Sequence, residues 1–134
     1  SIMKVEVAIG EIFDKITILD IKLERIDDES RLSYIEKEKQ ILETALASED
    51  LKIDTALYQE LRDINVKIWD TEAGFREKES KKEFDEEFIE FARLNAKFND
   101  ERFLVKKRIN EHYDSPVREQ KSYDRLYTSD STLD

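Results

Sequence analysis

Eight polar residues fall on or beside otherwise apolar helical lines: Asn65, Glu72, Arg76, Arg93, Asn95, Asn99, Asp100 and Arg102. The planar fork of an arginine grips a carboxylate or a phosphate with two parallel bonds. A group built on Arg102, with Arg76 or Arg93 nearby, is therefore suited to an anionic ligand. The same residues also support a purely structural reading. An arginine drawn into a helix seam must be paired, because stripping it of water costs several kcal/mol. Glu72 or Asp20 would supply the pair, and a polar network of this kind fixes helix register as a core asparagine does in a coiled coil.

Two acidic pairs have helical spacing, Glu87 with Glu90 and Glu111 with Asp114. Carboxylates three apart share a helix face and hold Mg²⁺ in some phosphate-cleaving enzymes. A quarter of the chain is Asp or Glu, however, so such pairs arise by chance, and a solvated acidic face is the plainer reading. His112 is the only histidine and there is no cysteine. Neither a histidine–thiolate metal site nor a catalytic triad can be assembled from that inventory. No Gly-rich phosphate loop is present. The expectation is no metal and no cofactor.

The elements that position these residues are long helices. Phe84, Phe88, Phe91, Asn95, Phe98, Arg102, Val105, Ile109 and His112 recur at steps of three and four, which keeps one seam on one side of a helix. With no Gly or Pro inside it, the spacing predicts a helix over 84–112. A first helix over 10–26 has Ile9, Ile12, Ile16, Leu19, Leu23 and Ile26 as its seam, with Phe13 widening it and Ile18 and Ile21 lying off it. Apolar residues beyond one stripe call for cover on a second face, from an arm, the tail or another subunit. Asp27-Asp28-Glu29-Ser30 carries N-cap chemistry for a second helix over 30–47, with a thinner stripe of Leu32, Ile35, Leu42, Ala45 and Leu46. Asp54 or Thr55 caps a third helix over 54–79. Gly74 near its far end costs about 1 kcal/mol relative to Ala, so the helix weakens or kinks there. Short links make neighbours antiparallel. Lys4-Val5-Glu6-Val7-Ala8 alternates polar and apolar but has no partner strand, so it is read as an extended arm lying on the bundle. Pro116 stops the last helix.

The chain has 134 residues and a net charge of −10. That length fits one domain, here 4–123, followed by a flexible tail over 124–134. The acidity argues against a nucleic-acid partner. The densest basic group, Arg102, Lys106, Lys107 and Arg108, circles its helix and is flanked by acids. No apolar run reaches the ~20 residues that cross a bilayer, so membrane insertion is not expected. Without cysteine or a signal-peptide pattern, the compartment expected is the cytoplasm.

The stretch Val5-Glu6-Val7-Ala8-Ile9-Gly10-Glu11-Ile12-Phe13-Asp14-Lys15-Ile16-Thr17-Ile18-Leu19-Asp20-Ile21-Lys22-Leu23-Glu24-Arg25-Ile26 resembles the opening of a small bacterial family known only as a domain of unknown function. Ile68-Trp69-Asp70-Thr71-Glu72 is similar to that family's L-W-x-x-E, and Phe88-Ile89 with Ala92-Arg93 to its F-I-x-x-A-R. Asn99-Asp100 with Arg102, the stretch Lys107-Arg108-Ile109-Asn110, and Lys121-Ser122-Tyr123 resemble N-D-x-R, K-x-x-I-N and a closing K-S-Y. The resemblance spans about residues 5–123. It implies that this stretch is one unit and that the K-S-Y segment docks; it leaves Asp124 to Asp134 unexplained.

The sequence thus predicts an all-α fold, an antiparallel four-helix bundle with long third and fourth helices and a short extended N-terminal arm. Those two helices outlast the others, which leaves seam uncovered in a monomer and favours a homodimer. The leading functional expectation is a non-enzymatic cytoplasmic interaction or assembly module. The alternative is a small-molecule enzyme or binder that grips a phosphate or carboxylate with Arg102 and its neighbours.

Overall fold

Helix α1 (Ile9–Arg25) buries Gly10, Phe13, Asp14, Ile16, Thr17, Leu19 and Ile21, which cover more than half of its circumference at 3.6 residues per turn. In this computed structural model, which describes residues 2–122, α2 (Glu29–Ser48), α3 (Thr55–Lys81) and α4 (Glu86–His112) follow, with no strand among the described residues. The fold class is all-α, with α3 and α4 the longest elements, as expected. Helix boundaries agree with the sequence reading to within two residues.

The described residues fall into two compact units, and α3 and α4 contribute to both. The first takes residues 2–62 and 105–119. Its core is Phe13, Ile16, Leu19 and Ile21 of α1, with Leu46, Leu61, Val105 and Ile109 from the other three helices. Burying each such side chain contributes about 1.5–3 kcal/mol. Ile21, read from sequence as lying off the seam, is 0% exposed. The reason is that α1 is covered on several faces at once. Asp20 reaches Lys39 of α2 at 2.6 Å, Glu24 pairs with Arg62 of α3, and Phe13 packs its ring 5.3 Å from that of Tyr113 just after α4. Asp20 therefore answers Lys39 rather than Arg102. The cover expected from an arm, tail or second subunit comes from the chain's own helices. The arm does not lie on them: residues 2–7 are exposed, and only Ala8, at the start of α1, is buried.

Helix ends follow local chemistry. Asp28 Oδ1 accepts from the Ser30 and Arg31 N–H groups, Asp54 Oδ1 from Leu57 N–H, and Asp85 Oδ1 from Phe88 N–H. The Asp85 cap starts α4 two residues later than the aromatic spacing alone suggested, and leaves Phe84 58% exposed. At the other ends, Asp50, Lys82 and Asp114 take left-handed φ values of 55°, 54° and 51°. Each closes a Schellman motif; Glu83 N–H donating to Lys78 O and Lys82 N–H to Glu79 O is one example.

The second unit takes residues 63–104 and 120–122. It is an antiparallel pair: Asn65 meets Arg102, Phe75 stacks on Phe88 at 4.7 Å, and Lys78 meets Asp85. Helix α3 runs unbroken through Gly74. A Cβ there would stand 2.6 Å from the Phe91 ring, so the missing side chain is what lets Phe91 seat against α3. No apolar residue between 63 and 104 is buried; the buried ones are Asn65, Thr71 and Asp100. The expectation of a flexible tail over 124–134 lies outside the described residues, as does Tyr123.

Candidate functional site

The second unit brings together four of the eight residues singled out in the sequence. Asn65 on α3 is 3% exposed. Its Oδ1 accepts from Arg102 Nη1 at 3.2 Å. Arg102 Nη2 donates to Asn99 Oδ1 at 2.5 Å, and Asn99 Nδ2 donates to the Asn95 backbone carbonyl at 2.7 Å. Residues 95, 99 and 102 share one face of α4 by the three-and-four spacing, which is why the ladder forms. Asn95 Oδ1 is buried with no hydrogen-bond partner among the described residues. Arg102 is thus held by two neutral amides, where a carboxylate pair was expected.

The other four residues stand apart from this ladder. Asp100 is buried and pairs with Lys121 at 3.6 Å, while the Lys121 ammonium lies 5.4 Å from the centre of the Phe103 ring. The first residue of the K-S-Y segment therefore docks. Arg76 pairs with Glu72 one turn away, its side chain 82% exposed, and Arg93 is exposed. Of the acidic pairs, Glu87 contacts Lys78 at 3.2 Å and Asp114 contacts Arg118 at 3.1 Å. Among the described residues, no three His, Asp or Glu side chains are grouped to hold a metal ion.

At the tip of the helix pair, Lys78 donates to Asp85 at 2.9 Å and Glu83 at 3.1 Å. These bonds, Asp85 first, hold the Lys78 ammonium above its ordinary pKa. Gly74, Lys78, Lys81, Glu87 and Phe91 line a small polar pocket here.

A second polar cluster, in the first unit, went unrecognised in the sequence. Lys106 is buried and contacts Glu11 at 2.5 Å, Glu119 at 3.3 Å and Asp14 at 3.9 Å. One turn along α4, Asn110 Oδ1 accepts from Gly10 N–H at 2.7 Å, and Ser115 Oγ accepts from Ile9 N–H at 3.2 Å. Helix α1 has no side-chain cap of its own at Ala8, so two residues some hundred positions away satisfy its first donors. Gly10 permits this: a Cβ there would stand 2.9 Å from both Asn110 Oδ1 and the Lys106 carbonyl. Lys106, read as part of a ring of bases, is instead buried among acids, and Arg108 pairs with Glu60 at 2.7 Å. The one available signal was the resemblance itself, which takes in both the Gly10-Glu11 block and the Ile109-Asn110 segment.

No helix of the described residues is long and apolar enough to cross a membrane. Comparison with curated proteins and with solved structures gave no match. A family model does match, over residues 3–133, and so takes in most of the stretch after Tyr123 that the motif resemblance left unexplained. The chain accordingly belongs to the family described as "Family of unknown function (DUF6165)".

Proposed function

We propose that this chain is a non-enzymatic cytoplasmic assembly module that pairs with a second copy of itself through the helix pair of residues 63–104. One observation carries the reading: that unit buries no apolar side chain, although it contains Ile64, Ile68, Trp69, Phe75, Phe88, Phe91, Leu94, Phe98, Phe103 and Leu104. Phe84 and Ile89 are 58% and 55% exposed. Two antiparallel helices have no third layer on which to bury such a surface, and a twofold pairing of two hairpins into four helices is the simplest way to provide one. The absence of cysteine is in keeping with a reducing compartment.

Light scattering on the eluting protein tests this. The wild type is expected at twice the chain mass, and Phe84→Ser with Ile89→Ser is expected to weaken pairing at least about tenfold, or about 1.4 kcal/mol, with helicity retained. A wild type that stays monomeric up to about 100 µM, where any interface worth more than about 5.5 kcal/mol is populated, would refute self-pairing.

A further inference from the structure

We infer that Arg102 is the anchor of a binding site for a small oxyanion, a phosphate or a carboxylate group. The inference is independent of the self-pairing above. It rests on how the chain treats its drawn-in cations. Lys39 sits on Asp20, Lys121 on Asp100, Lys78 on Glu83, Asp85 and Glu87, and Lys106 on Glu11, Asp14 and Glu119. Each positive charge is met by negative charge. Arg102, half-buried, is held differently. Its Nη1 and Nη2 are held by Asn65 and Asn99. Among the described residues no carboxylate lies within ion-pair distance of it.

Amides orient a guanidinium without neutralising it. Asn65 is itself buried, and Asn99 is fixed through its own Nδ2 to the Asn95 carbonyl, so neither partner is a loose surface contact. The arrangement holds the fork in one pose and leaves its charge in place. Two of the five guanidinium N–H groups are engaged by these amides. Those that remain suffice for the two-bond grip that an oxyanion accepts. In a chain with 33 acidic residues, a purely structural arginine had carboxylates available to it. A neutral, rigid shell around a cation is what anion binding requires, because a resident carboxylate would compete with the ligand.

The test compares thermal midpoints in sodium phosphate, in sodium malonate and in sodium chloride at equal ionic strength, with fluorescence of Trp69, the only tryptophan, as a titration readout. A rise of at least about 3 °C over chloride in phosphate or in malonate is expected, and which salt gives it identifies the group. Asn99→Asp places a carboxylate on the fork. It is expected to keep the fold in chloride, the new ion pair offsetting the lost bond to the Asn95 carbonyl, while weakening the anion response at least tenfold. Arg102→Gln is expected to lose the response as well. Equal midpoints in all three salts, or an Asn99→Asp protein that responds like the wild type, would overturn the proposal. Molecular mass measured on the same samples keeps this result separate from the pairing of copies.

Discussion

The ring of Phe91 occupies the space that a side chain on Gly74 would need: an added Cβ would stand 2.6 Å from the ring's Cζ. In an open helix, Gly→Ala gains about 1 kcal/mol. Here Gly74→Ala is expected to destabilise by about 1–3 kcal/mol in urea unfolding, because the ring cannot yield without losing its seat against α3. Gly74→Ala combined with Phe91→Leu is expected to recover most of that loss. If Gly74→Ala alone proved stabilising, the seating of Phe91 would be wrong.

Lys82 and Asp50 both hold left-handed backbone after a helix end, at φ 54° and 55°. That conformation costs an L-residue about 1–2 kcal/mol, less for Asp, and glycine escapes it at some cost in unfolded-state entropy. Lys82→Gly is expected to raise stability by about 0.5–1 kcal/mol, and Asp50→Gly by less. Unfolding midpoints of the two variants, measured side by side, check the order.

Acid stability depends on the helix caps. The hydroxyl and then the backbone N–H of Ser30 hold Asp28 below the ordinary carboxylate pKa, and Lys78 followed by Phe88 N–H does the same for Asp85. A carboxyl whose folded pKa lies below its unfolded value of 3.8 stabilises the fold above that value. The contribution disappears as pH falls through the folded pKa, so stability is expected to decline below about pH 4. Asn caps a helix as well as Asp does. Asp28→Asn is therefore expected to match the wild type near neutrality and to lose less stability on acidification. Urea midpoints measured from about pH 7 down to about pH 2 would show it, and an unchanged acid limb would count against the cap.

The helices were legible because their apolar spacing is long and nearly free of Gly and Pro. Details failed where a residue answers to more than one neighbour. Ile21 was placed off a single seam, but α1 is packed on several faces. Phe84 fitted the aromatic spacing, but Asp85 intercepts the chain as a cap. Arg102 interrupts the apolar spacing of α4, yet its partners are asparagines, and nothing in one helix's projection distinguishes an amide partner from a carboxylate. The Lys106 cluster was out of reach for a different reason. Its acids come from residues 11, 14 and 119, and only the tertiary fold brings them to one point.

The first donors of α1 are met by Asn110 and Ser115, and this sets a schedule for folding. During synthesis α1 emerges well before the groups that close its leading end. The helix pair between them has partners close in sequence, and short loops close quickly. That pair can form while the unit on either side of it in sequence is still waiting for its final segment. Changes in the length of the pair near its tip, around residues 82–85, would leave that unit's contacts untouched, whereas truncating the chain before Asn110 would leave α1 with two unanswered donors and Glu11 and Asp14 beside a lysine without its third acid.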